Sequence, residues 1–273
     1  MKNLSFLLPC RIESEDRLRN VITSITYLLS TFPDSNVVVK EVDSHSHFKF
    51  RALPEIKKYT DTSKLIHYFE ESDEKFFHKT KILNDLLCLS TTDILYNYDV
   101  DIVVPKDSIL FSHQAISDNQ CDAVYPFGCG IYQWAVNYSS ELMENFISNK
   151  FDLNILIPQS NRRSSTIGWG QMIKRKVYID SYMWNENFIS WGAEDCEFYY
   201  RLSALGYTVG RVNDDIFHLE HGRTFNSHYN NPKFSDNYKL WQWMRNQDKE
   251  SIIDYYEKQE YVKQRRNELN VGI

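Results

Sequence analysis

Apolar positions along the chain switch between two periods. Residues 4–8 form a nearly continuous apolar run closed by Pro9, the pattern of a strand buried on both faces. Residues 14–32 instead space Leu18, Val21, Ile22, Ile25, Leu28 and Leu29 at intervals of three and four. That spacing predicts a helix with Ser14 as its N-cap and Pro33 as its stop. Val37-Val38-Val39 reads as a second strand, residues 65–69 as a third, and residues 79–89 as a second helix. Ile94-Leu95-Tyr96 reads as a fourth strand that runs into Asn97-Tyr98-Asp99-Val100-Asp101.

Strands alternating with helices imply right-handed crossovers and a mainly parallel central sheet flanked by helices. Ligands of such sheets bind beyond the carboxyl ends of the strands. Pro9-Cys10-Arg11 and Asp99-Val100-Asp101 both fall at such ends, so the topology sets them on one rim. The second half is less regular. Gly128, Gly130, Gly168, Gly170 and Gly192 mark turns or close backbone approaches. Residues 194–205 return to helical spacing, with Gly206 placed to close the helix in a left-handed conformation. Residues 235–267, polar with scattered Trp and Tyr, read as one or two terminal helices. With no repeat, linker or low-complexity tract, residues 1–273 are expected to form one α/β domain: a first half over 1–105, a second over 106–232 and a helical tail over 233–273.

Composition narrows the partners. The chain carries 31 Lys and Arg against 37 Asp and Glu, a net charge of -6, which argues against nucleic acid as a ligand. Five cysteines without a CxxC pair suit free thiols in a reducing compartment. No apolar stretch is long enough to span a bilayer, and the run before Pro9 is too short for a signal h-region. A cytoplasmic location follows as the expectation, with peripheral contact at the inner face of the membrane left open. Aromatic residues are abundant, with 18 Tyr, 16 Phe and 6 Trp. Most sit at core spacing; some are candidates for stacking on flat or ring-shaped ligands.

Four constellations carry chemistry. Alternate carboxylates in Asp99-Val100-Asp101 can approach one divalent cation, and hard oxygen ligands suit Mg²⁺ or Mn²⁺. In His218-Leu219-Glu220-His221 two imidazoles three positions apart can share a metal. Trp191-Gly192-Ala193-Glu194-Asp195-Cys196-Glu197 sets an indole beside three acids at a helix start. Those acids complement the helix dipole, and they can equally accept sugar hydroxyls or a hydroxyl proton. Arg11, Phe77, Lys79 and Lys81 offer cations and a ring for a phosphate or a base.

In this order the motifs resemble one family. Leu7-Leu8-Pro9-Cys10-Arg11, Phe77-His78-Lys79-Thr80-Lys81-Ile82-Leu83-Asn84 and Tyr98-Asp99-Val100-Asp101-Ile102-Val103-Val104-Pro105 are similar to the nucleotide-binding half of glycosyltransferases with the GT-A fold. Phe188-Ile189-Ser190-Trp191-Gly192-Ala193-Glu194-Asp195, then Arg201-Leu202, Gly206 and His218-Leu219-Glu220-His221, resemble the C-terminal half of β-1,4-galactosyltransferases and related bacterial polysaccharide transferases. The resemblance covers about residues 4–232.

It implies a GT-A fold and an inverting transfer of Gal, GalNAc or a similar sugar from a UDP-sugar to a glycan or glycolipid hydroxyl, with Mn²⁺ or Mg²⁺. By position, Pro9, Cys10, Arg11, Phe77 and Lys79 would line the uridine pocket. Asp99, with Val100 beside it, would meet the ribose or the metal shell, and Asp101, His218 and His221 would hold the metal. His218 falls where the galactosyltransferases have Met. Trp191 would cover the donor, Glu194 would bind donor hydroxyls, and Asp195 matches the catalytic base. A retaining transferase, a non-catalytic sugar-nucleotide or glycan-binding subunit and a metal-dependent phosphohydrolase are the alternatives.

Overall fold

The computed structural model describes residues 1–162, 166–224, 226, 228 and 230–271. The first half follows the expected alternation. Strand β1 (Leu4–Cys10) is buried throughout and leads into helix α1 (Glu15–Thr31), whose Ser14 side chain accepts a hydrogen bond from the Arg17 amide. Strand β2 (Asn36–Asp43) follows, then a π-helical turn at Phe48–Ala52 that continues into helix α2 (Leu53–Tyr59). Strand β3 (Leu65–Glu71), helix α3 (Lys79–Leu89) and strand β4 (Ile94–Tyr98) complete this half. The π turn and α2 were not expected. They span little sequence, and only Phe48, Ala52 and Ile56 are fully buried, too few to show a period.

The second half adds strand β5 (Ile102–Val103), helix α4 (Lys106–Ser117), strands β6 (Ala123–Tyr125) and β7 (Gln133–Val136), helix α5 (Ser140–Ser148) and strands β8 (Ser160–Arg162) and β9 (Gly170–Lys174). Helices α6 (Arg175–Asp180) and α7 (Glu194–Ala204) and strands β10 (Val209–Arg211) and β11 (Ile216–Leu219) follow. The tail holds three helices rather than one or two: α8 (Phe234–Met244), α9 (Lys249–Glu257) and α10 (Glu260–Glu268). Breaks at residues 245–248 and 258–259 divide what polarity alone presents as one stretch.

The main sheet has seven strands in the order β10-β6-β9-β4-β1-β2-β3. All its pairings are parallel except those of β9, which runs antiparallel to both β4 and β6. Apolar layers cover both faces. One is built from Phe6, Leu8, Tyr96, Tyr98 and the buried side of α1, the other from Leu7, Val38, Leu95 and α3 with the tail helices. A second sheet, β5-β11-β7-β8, stands beside it and has strands of two to four residues. This small sheet matters most for the site. β11 pairs antiparallel with β5 so that His218 lies opposite Ile102, next to Asp101.

The tail is tied down by charge as well as by apolar contact. Arg265 on α10 reaches Asp85 at 2.6 Å, Glu186 at 3.0 Å and Glu268 at 3.0 Å. Deeper still, Arg201 of α7 is fully buried and pairs with Glu197 at 2.7 Å. It also donates to the carbonyls of Ser181 and Met183, and Tyr256 of α9 donates to Glu197 at 2.6 Å. Every polar group of this buried pair thereby gains a partner, which such a pair requires. The network fixes the helix that begins with Glu194 and Asp195. No helix among the described residues is long and apolar enough to cross a membrane.

Candidate active site

The turn after β4 is clamped from three sides. The Tyr98 hydroxyl donates to the Ile102 carbonyl at 2.9 Å, the Asp99 amide to the Trp169 carbonyl at 3.2 Å, and the Leu219 amide to the Asp101 carbonyl at 2.8 Å. Asp101 is thereby held against β11 and the residues that follow it. Its Oδ2 lies 3.1 Å from His221 Nε2 and 3.9 Å from His218 Nε2. One ligand atom from each of Asp101, His218 and His221 falls within 4.8 Å of the other two. The residues bracketing the histidines orient them. His218 Nδ1 is 2.8 Å from Glu220 Oε1, and His221 Nδ1 is 2.8 Å from the Gly222 carbonyl. An imidazole donating from Nδ1 in its neutral form carries its lone pair on Nε2, the atom that faces Asp101 in both cases. A carboxylate and two such nitrogens, each backed by an acceptor, fit a divalent ion of the Mn²⁺ or Zn²⁺ kind. Burial would raise the Asp101 carboxyl, but with no metal between them the imidazoles in their protonated form, His218 by charge and His221 by hydrogen bond and charge, hold it well below the ordinary carboxylate range.

Across the cleft stands a second group. Lys79 Nζ lies 3.0 Å from Asp99 Oδ1 and 3.8 Å from both Glu194 Oε1 and Asp195 Oδ1. Burial alone would lower the ammonium, but the three carboxylates raise it well above its usual value. Asp195 responds the other way. Burial and the neighbouring Glu194 and Asp99 outweigh Lys79 and push its carboxyl up to about 8. Such a carboxyl at a helix start can exchange a proton near neutral pH.

Backbone geometry concentrates around this acid. Trp169, Ser190, Gly192 and Ala193 all have positive φ, at 83°, 63°, 127° and 67°. Glycine is required at two places. A Cβ on Gly168 would stand 2.5 Å from Asp195 Oδ2, and one on Gly192 would stand 2.8 Å from the Phe234 ring. The Trp191 ring stacks on Phe234, centroids 5.4 Å apart and 20° off parallel. Asn237 holds the loop from behind by donating to the carbonyls of Ile189 at 2.9 Å and Trp191 at 3.3 Å.

Of the residues expected from sequence, Pro9, Arg11, Phe77 and Lys79 line one side of a single cleft, with Asp99, Val100 and Asp101 at its floor. Trp191, Glu194, Asp195, His218 and His221 complete it. Arg11 stands over Phe77, 5.6 Å from the ring centroid, and donates to the Val42 carbonyl at 2.9 Å. Two expectations are corrected. Cys10 does not line the cleft: side chains alternate along β1, and Cys10 turns with Phe6 and Leu8 into one apolar layer while Pro9, on the opposite face, borders the cleft. Lys81 is exposed on α3, two positions beyond Lys79, and takes no part.

The structure also adds residues that sequence reasoning passed over. Trp169 stacks on His218 at 5.3 Å and 29°, and only its glycine neighbours hinted at a special turn. Asn226 accepts from the Phe77 amide at 3.1 Å and from the Ser190 hydroxyl at 2.9 Å, joining the two rims. No pattern in the sequence marks it.

Comparisons with known proteins give the fold. A sequence profile described as the N-terminal domain of galactosyltransferase matches residues 164–224. Among solved structures, that of GalNAc-T7 with UDP, GalNAc and Mn²⁺ superposes with a TM-score of 0.62 at 13% identity, covering 98% of this chain and 55% of that one. S. aureus TarS 1-349 in complex with UDP-GlcNAc gives 0.59 at 14% identity, covering 92% and 69%. The mannosyltransferase PcManGT from Pyrobaculum calidifontis, in complex with GDP-Man and Mn²⁺, gives 0.53 at 15%, covering 81% and 58%. A search of the curated proteins finds no match. The chain therefore has the GT-A fold of glycosyltransferases, and it spans little more than half the length of PcManGT and GalNAc-T7.

Proposed function

We propose that this chain is a metal-dependent, inverting glycosyltransferase that moves Gal, GalNAc or a similar sugar from a UDP-sugar to a glycan or glycolipid hydroxyl, as in polysaccharide biosynthesis. The observation that carries the reading is the facing pair of groups in one cleft, Asp101 with His218 and His221 on one side and Asp195 with Glu194 on the other.

The chemistry follows from that division. Displacement of UDP from an anomeric carbon builds negative charge on the departing diphosphate. Asp101, His218 and His221 would hold a divalent ion, which would supply the charge that offsets it. Arg11 and Phe77 receive the base, cation against ring, and the Pro9 rim bounds it. Glu194, whose carboxylate already accepts from the Gly192 amide at 3.1 Å, keeps acceptor capacity for donor-sugar hydroxyls. Asp195 takes the proton of the incoming hydroxyl on the face opposite the leaving group, which inverts the anomeric centre. Trp191 covers the donor and excludes the water that would hydrolyse it. The matched galactosyltransferase profile and the nucleotide-sugar complexes among the similar structures support the same reading.

A thermal-shift panel tests it: UDP-Gal, UDP-GalNAc, UDP-Glc, UDP-GlcNAc and UDP-GlcA, each with and without Mn²⁺. A ligand at 100 times its Kd adds about 2.7 kcal/mol to the native state, a rise of several degrees in Tm. The expected result is a rise with one or two of these sugars that requires Mn²⁺. No shift with any of them, with or without metal, would remove the nucleotide-sugar reading.

A further inference from the structure

The free edge of the main sheet has a feature that the cleft does not use. β3 ends the strand order, and its pairing with β2 runs without a bulge from Val37 opposite Leu65 to Asp43 opposite Glu71. The far edge, β10, has three residues, whereas β3 has seven. Long open edges present a row of backbone donors and acceptors ready to pair with another strand, and proteins usually blunt them with Pro, bulges, short length or charge. β3 has no Pro or bulge and is not short, and its charges, Glu70 and Glu71, sit together at its carboxyl end. Ile66, Tyr68 and Phe69 are instead 39%, 36% and 40% exposed along it.

The geometry points to a second copy of this chain as the occupant of that edge, joined by antiparallel pairing of β3 with β3 about a two-fold axis through His67. A two-fold axis normal to the sheet keeps each side chain on its own face, so directly opposed residues must share parity. Among the registers that meet this condition, centring on His67 is self-complementary. It sets Lys64 against Glu70, Leu65 against Phe69 and Ile66 against Tyr68. Lys64, Ile66, Tyr68 and Glu70 then share one face, with Lys40 already 2.6 Å from Glu70 on that side. Moving the centre to Tyr68 would set Ile66 against Glu70 and Leu65 against Glu71. Moving it to Ile66 would set Lys64 against Tyr68 and strand Glu70 opposite Thr62. Cross-strand apolar and opposite-charge pairs stabilise a sheet, and apolar-against-acid pairs do not. The charge pattern therefore selects both the partner, an identical strand, and the register. The pairing continues the main sheet across both copies and leaves the clefts, which open beyond the carboxyl ends of β1 and β4, on opposite rims.

Light scattering after size exclusion, across a range of protein concentrations, reads the assembly directly. The expected mass is twice the 32.5 kDa of the chain, and Lys64→Glu, which sets like charges opposite each other at two symmetric places, is expected to weaken the dimer by about tenfold or more. Cysteine cross-linking reads the register. The double variant Ile66→Cys, Tyr68→Cys is expected to give a covalent dimer on oxidation, above the background of the native thiols, while each single variant is not. A monomer at every concentration overturns the proposal. So does a dimer that Lys64→Glu leaves intact and the double variant fails to cross-link. Cross-linking of either single variant overturns the register. The UDP-sugar thermal shift of the same samples reports the cleft separately.

Discussion

Lys79 Nζ lies 3.8 Å from Asp195 Oδ1, and the same ammonium is 3.0 Å from Asp99. The proposed base is thus held beside a positive charge and still titrates high, because burial and two acidic neighbours outweigh that charge. The cation moderates the carboxyl without keeping it ionised.

Rate should record this balance. A base must be ionised to act, so kcat/KM for UDP release should fall as the pH drops below about 8 rather than below the ordinary carboxylate range. Removing the cation with Lys79→Met should move that limb to higher pH, and Lys79→Arg should restore it. A limb that stays in place in Lys79→Met would separate Lys79 from the base.

Stability should carry the same signature with a definite sign. Asp195 has its carboxyl raised in the folded chain, so its contribution is fully present below the unfolded carboxyl range near 4 and is lost as the pH rises through about 8. Asp195→Asn should therefore melt higher than the parent at pH 8–9 and converge with it near pH 4. Calorimetry across that range checks the crossing, and a constant offset would contradict it.

The residue behind a proposed metal ligand offers a subtler test. Glu220 accepts from His218 Nδ1 at 2.8 Å, which sets the imidazole's orientation and basicity. Glu220→Gln should weaken Mn²⁺ binding in the presence of UDP by about 10–100-fold, while His218→Ala should lose more. Titration calorimetry measures both. His218→Met should retain binding, with relative affinity shifted toward softer ions.

Gly168 gives a test by crowding. Its Cβ position stands 2.5 Å from Asp195 Oδ2, so Gly168→Ala must push the acid away. Displacing a reacting group by about 1 Å can cost on the order of 100-fold in rate. kcat should drop by that order while UDP and Mn²⁺ bind as before, because the added methyl would meet Asp195 and Thr166 and none of Asp101, His218 and His221. An unchanged kcat would mean that Asp195 does not act from this position.

Much of this was legible in the sequence. β1, α1, β2, β3, α3 and β4 carry apolar runs or periods, and the carboxyl-end rule puts Arg11 and Asp101 on one rim. The small sheet was not legible: two-residue β5 and four-residue β11 have no period to read. Yet β5 and β11 bring His218 to Asp101, so the motifs showed the ligand types and the structure showed their meeting. Cys10 went the other way. Its neighbours in the motif face the cleft, but strand alternation turns the thiol inward, a one-residue distinction that motif reading does not make. Asn226 and Trp169 enter through backbone contacts and stacking that leave no spacing behind.

The central claim is that Asp195 is the base of a sugar transfer from a UDP-sugar. The most direct measurement is UDP release with Mn²⁺, a donor that binds and a glycan acceptor, comparing the parent with Asp195→Asn. A lost general base costs about 10²–10⁴-fold. The account predicts a loss of that size with the UDP·Mn²⁺ thermal shift preserved; release at the parental rate by Asp195→Asn would contradict it.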